Sequence, residues 1–266
     1  MNRYSQILSE IFRTNFKVGM TVVRFGRAEL DSVCHNLGIT RIKNIGDIVY
    51  SFRYRSPIPE QIQKEAPQGY CWIILGAGVA QYEFRLAKVA NISVGLGRQQ
   101  IKIPDSTPEI LKMYAPGVDE QALLTKVRYN RLVDIFTGLT TYSVQNHYRT
   151  TVDNIGQIEV DEIYVGINKH GSHFVMPCQA KSPSDSFGVA QVYQDMKLCA
   201  ARFPGAICRP LAIQFTGEDS LAILELMVEE HAEAFELVVV EEKHYKLVPR
   251  SDISDIDLKT YQHQIT

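Results

Sequence analysis

The chain has 266 residues, 45% of them hydrophobic and 22% charged, the make-up of a folded globular protein and not of a disordered or fibrous one. Its most apolar run, GYCWIILGAGVA, is shorter than the roughly 18–20 residues that cross a bilayer, and MNRYSQILSEIF is too polar for a secretory leader, so a cytoplasmic protein with no membrane partner is expected. The net charge of −2 conceals a division: residues 1–114 hold 15 Lys+Arg against 9 Asp+Glu, a net of +6, and the remainder 13 against 21, a net of −8.

A basic first part joined to an acidic second part fits contact of the first with a polyanion. Five cysteines, an odd number with no CxxC pair, argue against a disulfide framework or a zinc ribbon and for buried thiols. Pro104, Pro108, Pro116 and Gly117 interrupt the periodic pattern. They place a boundary near Pro116, dividing the chain into domains of residues 1–115 and 116–266.

Tyr4, Ile7, Leu8, Ile11 and Phe12 have helical spacing, and a second helix is expected over GRAELDSVCHNLGI. In KNIGDIVYSFRYR, Ile48, Tyr50, Phe52 and Tyr54 alternate with Val49, Ser51, Arg53 and Arg55, which predicts a strand. GYCWIILGAG and QYEFRLAKV read as further strands. Helices followed by strands with basic residues is the order of a winged helix.

In the second part a long helix is predicted over residues 118–138, a strand over 157–167, a turn at 168–171 and a strand over 173–181. A helix over 187–202 follows, then strands at CRPLAIQF, SLAILELMV and AFELVVVEE, a short HYKLVP segment, and an acidic, partly helical end. The fold class is α/β (α+β), with a mixed sheet flanked by helices.

The informative segment is GQIEVDEIYVGINKHGSHFVMPCQAK. Two strands joined by a tight turn bring Asp161 and Lys181, 20 residues apart, to one end of a hairpin. A carboxylate with a lysine beside it suits metal-assisted phosphodiester hydrolysis. The carboxylate holds a hard cation such as Mg2+, and the lysine orients water or offsets developing negative charge.

This pattern resembles the PD-(D/E)XK nuclease superfamily, with Val160–Glu162 (VDE) and Gln179–Lys181 (QAK) as the two halves of the motif. The run VRYNRLVDIFTGLTTYSVQNHYRTT, with EVDEIYVG and PCQAK, is similar to bacterial restriction-type endonucleases, over roughly residues 118–249. The resemblance implies a restriction-endonuclease-like domain with Asp161, Gln179 and Lys181 as the catalytic set. It also implies a Mg2+ cofactor, double-stranded DNA as substrate, and a winged-helix-like arm that binds it. A homodimer is expected because two-fold symmetry matches palindromic sites.

The chain departs from the motif at Gln179, where the family has an acid. A neutral amide oxygen still ligates a hard cation but adds no charge. Glu159, two residues from Asp161 on the same strand face, is the expected compensating ligand, while Glu162 points to the other face. Asn130 and Asp134 share a helix face with Leu123 and Val127, and Asn130 stands for the Glu that the family often has there; a plain capping hydrogen bond is the alternative. Gln191 and Gln194 lie on the following helix and are equally well explained by an exposed face. His170 and His173 flank the turn, where a zinc site is conceivable but solvated histidines are the simpler reading, and His147 could meet phosphate. Arg24, Arg27, Lys43, Arg53 and Arg55 are the candidate DNA contacts.

Two other functions compete. EVDEIYVG also suits the first carboxylate strand of a transposase-like strand transferase, with Glu218, Asp219, Glu225 and Glu229 as further acids. A non-catalytic, sequence-specific DNA-binding protein, in which Asp161 and Lys181 form an ion pair, is the second alternative.

Overall fold

In the computed structural model, residues 2–40, 42–114 and 120–262 are described. The boundary at residues 115–116 falls largely outside them. The first part runs α1 (Arg3–Asn15), β1 (Val22–Gly26), α2 (Arg27–Asn36), α3 (Gly46–Tyr54), α4 (Glu60–Gln63), β2 (Cys71–Gly76), β3 (Gln81–Ala87), β4 (Asn91–Ile92), β5 (Gln100–Pro104) and α5 (Glu109–Tyr114). After it come α6 (Glu120–Tyr129), α7 (Leu132–Thr137), β6 (Thr140–Val152), β7 (Gly156–Ile167), β8 (His173–Lys181), β9 (Phe187–Gly188) and α8 (Val189–Arg202). The chain then continues through β10 (Ile207–Cys208), β11 (Leu211–Gly217), β12 (Ser220–Glu230), β13 (Phe235–Val248) and α9 (Asp255–Gln262). Among the described residues no helix is long and apolar enough to cross a membrane, and all five cysteines are free thiols.

A large mixed sheet flanked by helices organises the molecule, in the order β1-β3-β13-β12-β11-β8-β7-β6, with β2 on β3, β5 on β13 and β10 on β8. β7 and β8 are antiparallel, and β8 and β11 are parallel. The strands of the first part join the rest through the pair Phe235↔Ala87, through five pairs of β5 with β13 and through β4 with β9. One apolar cluster, from Ile7 to Leu86, lies almost wholly in the first part. A second one unites Ile73, Leu75 and Ala87 with Val192, Leu224 and Phe235. The α6 and α7 face packs Leu123, Leu124 and Val127 on Met176, Cys178 and Ala180. On another part of the sheet α8 lays Leu198 and Cys199 against Val160, Ile163 and Val175.

Several local expectations need correction. The 44–55 segment is the helix α3 and not a strand: Ile45, Ile48, Val49 and Phe52 are buried at i, i+3, i+4, i+7, a period that outweighs the coincident alternation. Arg53 and Arg55 therefore do not share a strand face. The helix expected over 118–138 is two helices within its described part, broken where Arg131 adopts the left-handed conformation (φ 50°, ψ 37°) beside its ion-pair partner Asp134. β1 and β6 were not predicted. The HYKLVP segment continues β13, and Pro210 divides the expected 208–215 strand into β10 and β11.

Candidate active site

The site forms where β7 and β8 part. Their recorded pairing ends at Glu162↔Cys178. One residue further on, the Ala180 N–H donates to Asp161 Oδ2 at 2.8 Å, a side-chain acceptor where the ladder would have offered a carbonyl. Asp161 on β7 thereby lies beside the Gln179–Lys181 end of β8. Burial raises the Asp161 carboxyl above its ordinary range, while the Ala180 N–H, Lys181 and His147 pull it back. Lys181 is half-buried and forms no ion pair among the described residues, although it lies within electrostatic reach of Asp161. Gln214, opposite Lys181 in the β11 register, donates its amide to the carbonyls of Ser182 and Asp185 and so braces the turn that follows the lysine.

Glu120, the first residue of α6, joins this group, although the sequence reading passed over it. Burial, then the Asp161 carboxylate, push the Glu120 carboxyl upward, while Lys181 and His147 act the other way. Its position was legible: residues 120, 124 and 127 follow the i, i+4, i+7 rule, and Leu124 and Val127 are core. His147 stands on β6 opposite Asp161 with a positive φ of 47°, a local irregularity at the mouth of the site.

Gln179 is turned away from solvent. Its Nε2 donates to both oxygens of Asp195 (3.2 and 3.1 Å) and, at 3.4 Å, to the Glu159 carbonyl, while its Oε1 accepts from Gln191 Nε2 at 3.4 Å. Asp195 is only 1% exposed, and burial drives its carboxyl well above the usual range. It occupies the apolar stripe of α8 with Val192 and Cys199, a polar residue in a core position that would have singled it out.

Other expected residues are placed elsewhere or engaged. The Glu159 side chain pairs with Arg149 across the β6–β7 ladder at 2.9 Å. Glu162 is wholly buried, bound to Arg128 at 3.0 Å and to the Ser143 hydroxyl. Asn130 does not join the Asp161 group: it accepts from Ser106 N and donates to Asp105 and Thr107, which fastens the segment before α5. Asp134 accepts from Thr141 N. Gln194 accepts from the Tyr54 hydroxyl at 2.8 Å, joining α8 to α3. Glu225 is bound to Arg209, Asp219 to Lys126, and Glu229 to His231. Arg24, Arg27, Lys43 and Arg55 are exposed, and Arg24 contacts Glu83 at 3.4 Å. Arg53 is half-buried over the Tyr54 ring, with Nε and Nη2 enclosed and without hydrogen-bond partners among the described residues.

Asp161, Glu120 and the Gln179 amide offer oxygen donors only, the chemistry a hard divalent cation requires. Asp161 Oδ1 makes no hydrogen bond among the described residues, which leaves it available to a cation. The three-residue cluster whose ligand atoms lie within 4.8 Å of one another, among the described residues, is elsewhere: Glu229, His231 and Glu236, largely exposed and tied to Lys88 through Glu236. In comparison with known proteins, no family model, no curated protein and no solved structure matches this chain.

Proposed function

We propose that this chain is a Mg2+-dependent endonuclease that hydrolyses phosphodiester bonds of double-stranded DNA at a specific sequence. The observation that carries the reading is the grouping of Asp161, Lys181 and Glu120 within electrostatic reach of one another, where the pairing of β7 with β8 ends. Asp161 and Glu120 would hold the cation through carboxylate oxygens, with Gln179 Oε1 as a neutral third donor. A cation bound there polarises the scissile phosphate and acidifies the attacking water. The Lys181 ammonium, without an ion-pair partner among the described residues, would hydrogen-bond that water or offset the charge that grows on the phosphate.

The order α1-β1-α2-α3-α4-β2-β3, with β1 and β2 both antiparallel to β3, supports a winged-helix reading of the first part as a DNA-binding domain. In that arrangement α3 is the helix that enters the major groove, and the β2–β3 turn is the wing. Lys43 and Arg55 flank α3, and Arg24 and Arg27 bracket the β1–α2 junction. These exposed cations suit phosphate contacts or guanine readout. A two-fold dimer would present two such cleavage sites to the two strands of a palindrome.

The test is incubation of the purified protein with plasmid DNA in Mg2+ and in excess chelator, followed by mapping of the products. Discrete fragments with Mg2+ alone support a sequence-specific nuclease. Binding to a discrete site without cleavage in Mg2+ or Mn2+ would favour a DNA-binding regulator, and strand joining would favour a transferase.

A further inference from the structure

The proposed site lacks an acid at residue 179, and the side chain packed directly behind that position is an aspartate. Gln179 is 5% exposed and Asp195 1% exposed, so water contributes little to either group's hydrogen bonding. Both Asp195 oxygens lie 3.1–3.2 Å from the same Gln179 nitrogen. Both contacts run from the Gln179 NH2 group to the Asp195 oxygens, so in this pair the amide donates and the aspartate accepts. The oxygen end is left pointing away, toward the weak 3.4 Å contact with Gln191. A glutamate at 179 would set two carboxylates face to face in an enclosed pocket, an arrangement that like charges oppose.

We propose that Asp195 is a positioning residue that locks the Gln179 amide with Nε2 on its carboxyl and Oε1 turned to Gln191, and that the two form an exchanged pair, the acid on α8 and the amide on β8. The inference rests on the nuclease reading of the site. It accounts for why an amide, and not an acid, stands on β8 in this chain: the acid on the helix behind dictates it. It also gives Gln191 a defined place, as the group that a cation would displace from Oε1.

The test is a double-mutant cycle over residues 179 and 195, read by Mn2+ binding (calorimetry or water-proton relaxation) and by thermal unfolding. Asp195→Asn is expected to keep the melting temperature and to weaken Mn2+ binding about 10- to 100-fold, because an Asn side chain can donate as well as accept and releases the amide orientation. Gln179→Glu alone is expected to lower both the melting temperature and Mn2+ affinity. The double variant Gln179→Glu/Asp195→Asn is expected to recover the melting temperature and to bind Mn2+ more tightly than wild type, its charge now on β8. Tighter Mn2+ binding by Gln179→Glu alone, or no gain in the double variant over either single one, would overturn the exchanged pair. A wild-type protein that binds no Mn2+ and cuts no DNA would instead overturn the nuclease reading, and the inference with it.

Discussion

Asp161 on β7 accepts the backbone N–H of Ala180 on β8 at 2.8 Å, and this bond replaces the next rung of the ladder. One carboxylate thus both holds the end of β8 and belongs to the proposed site. An Asp161→Asn variant can keep the acceptor for Ala180 while removing the charge. The variant is therefore expected to fold with a melting temperature near that of wild type, yet to lose Mg2+-dependent cleavage. Circular dichroism and a plasmid assay on the same sample check both halves; cleavage retained at the wild-type rate would count against Asp161 as a ligand.

In the proposed site Glu120 would supply the second charge that Gln179 does not. Glu120→Gln is expected to slow cleavage at low Mg2+ and to recover in part as Mg2+ is raised, because one of two anionic donors remains. A titration of rate against Mg2+ concentration measures this, and an unchanged half-saturation point would remove Glu120 from the site.

The hairpin carrying Asp161 and Lys181 was legible because apolar runs rich in β-branched residues, IYVGI on β7 and FVMPC on β8, frame a four-residue turn. β6 was not legible: as an exposed edge strand it has few buried residues, and Tyr142 and Val144 face solvent, so no period-2 signal survives. α3 was misread because its aromatic residues happen to alternate, while the decisive spacing at Ile45, Ile48, Val49 and Phe52 began one residue before the helix. Asn130 was offered as a site residue on helix-face reasoning that assumed one unbroken helix; the break at Arg131 and the capture of residues 105–107 redirect it. Asp195 and Glu120 were legible from helical spacing, as polar residues in line with the apolar stripes of α8 and α6, but that spacing was not followed out to them.

The buried Arg128–Glu162 pair is structural in this account. Arg128→Met strands a fully buried carboxylate and is expected to cost about 3–5 kcal/mol. Replacing both, Arg128→Met with Glu162→Leu, is expected to recover much of that loss. Chemical denaturation of the single and double variants checks it; a single variant as stable as wild type would show that Glu162 finds another partner.

Asp257 anchors α9 to β5. The Ser254 hydroxyl and backbone N–H, with Lys102, hold its carboxyl down to about 2, and the Tyr261 hydroxyl accepts from Lys102 N. A depressed carboxyl contributes stability above its unfolded value of about 3.9, and that contribution is lost as pH falls from there through about 2. Amide exchange in α9 is expected to accelerate over that window before the sheet does so. At neutral pH Asp257→Asn should show the same fast exchange, and protection equal to wild type would contradict the anchor.

The central claim is that Lys181 acts at the reacting phosphate and not as half of an ion pair. Single-turnover cleavage of a duplex carrying the mapped site, at saturating Mg2+, compares wild type with Lys181→Ala most directly. The account predicts that the variant binds the duplex as wild type does but cuts at least about 100-fold more slowly. Cleavage by the variant at the wild-type rate would contradict it.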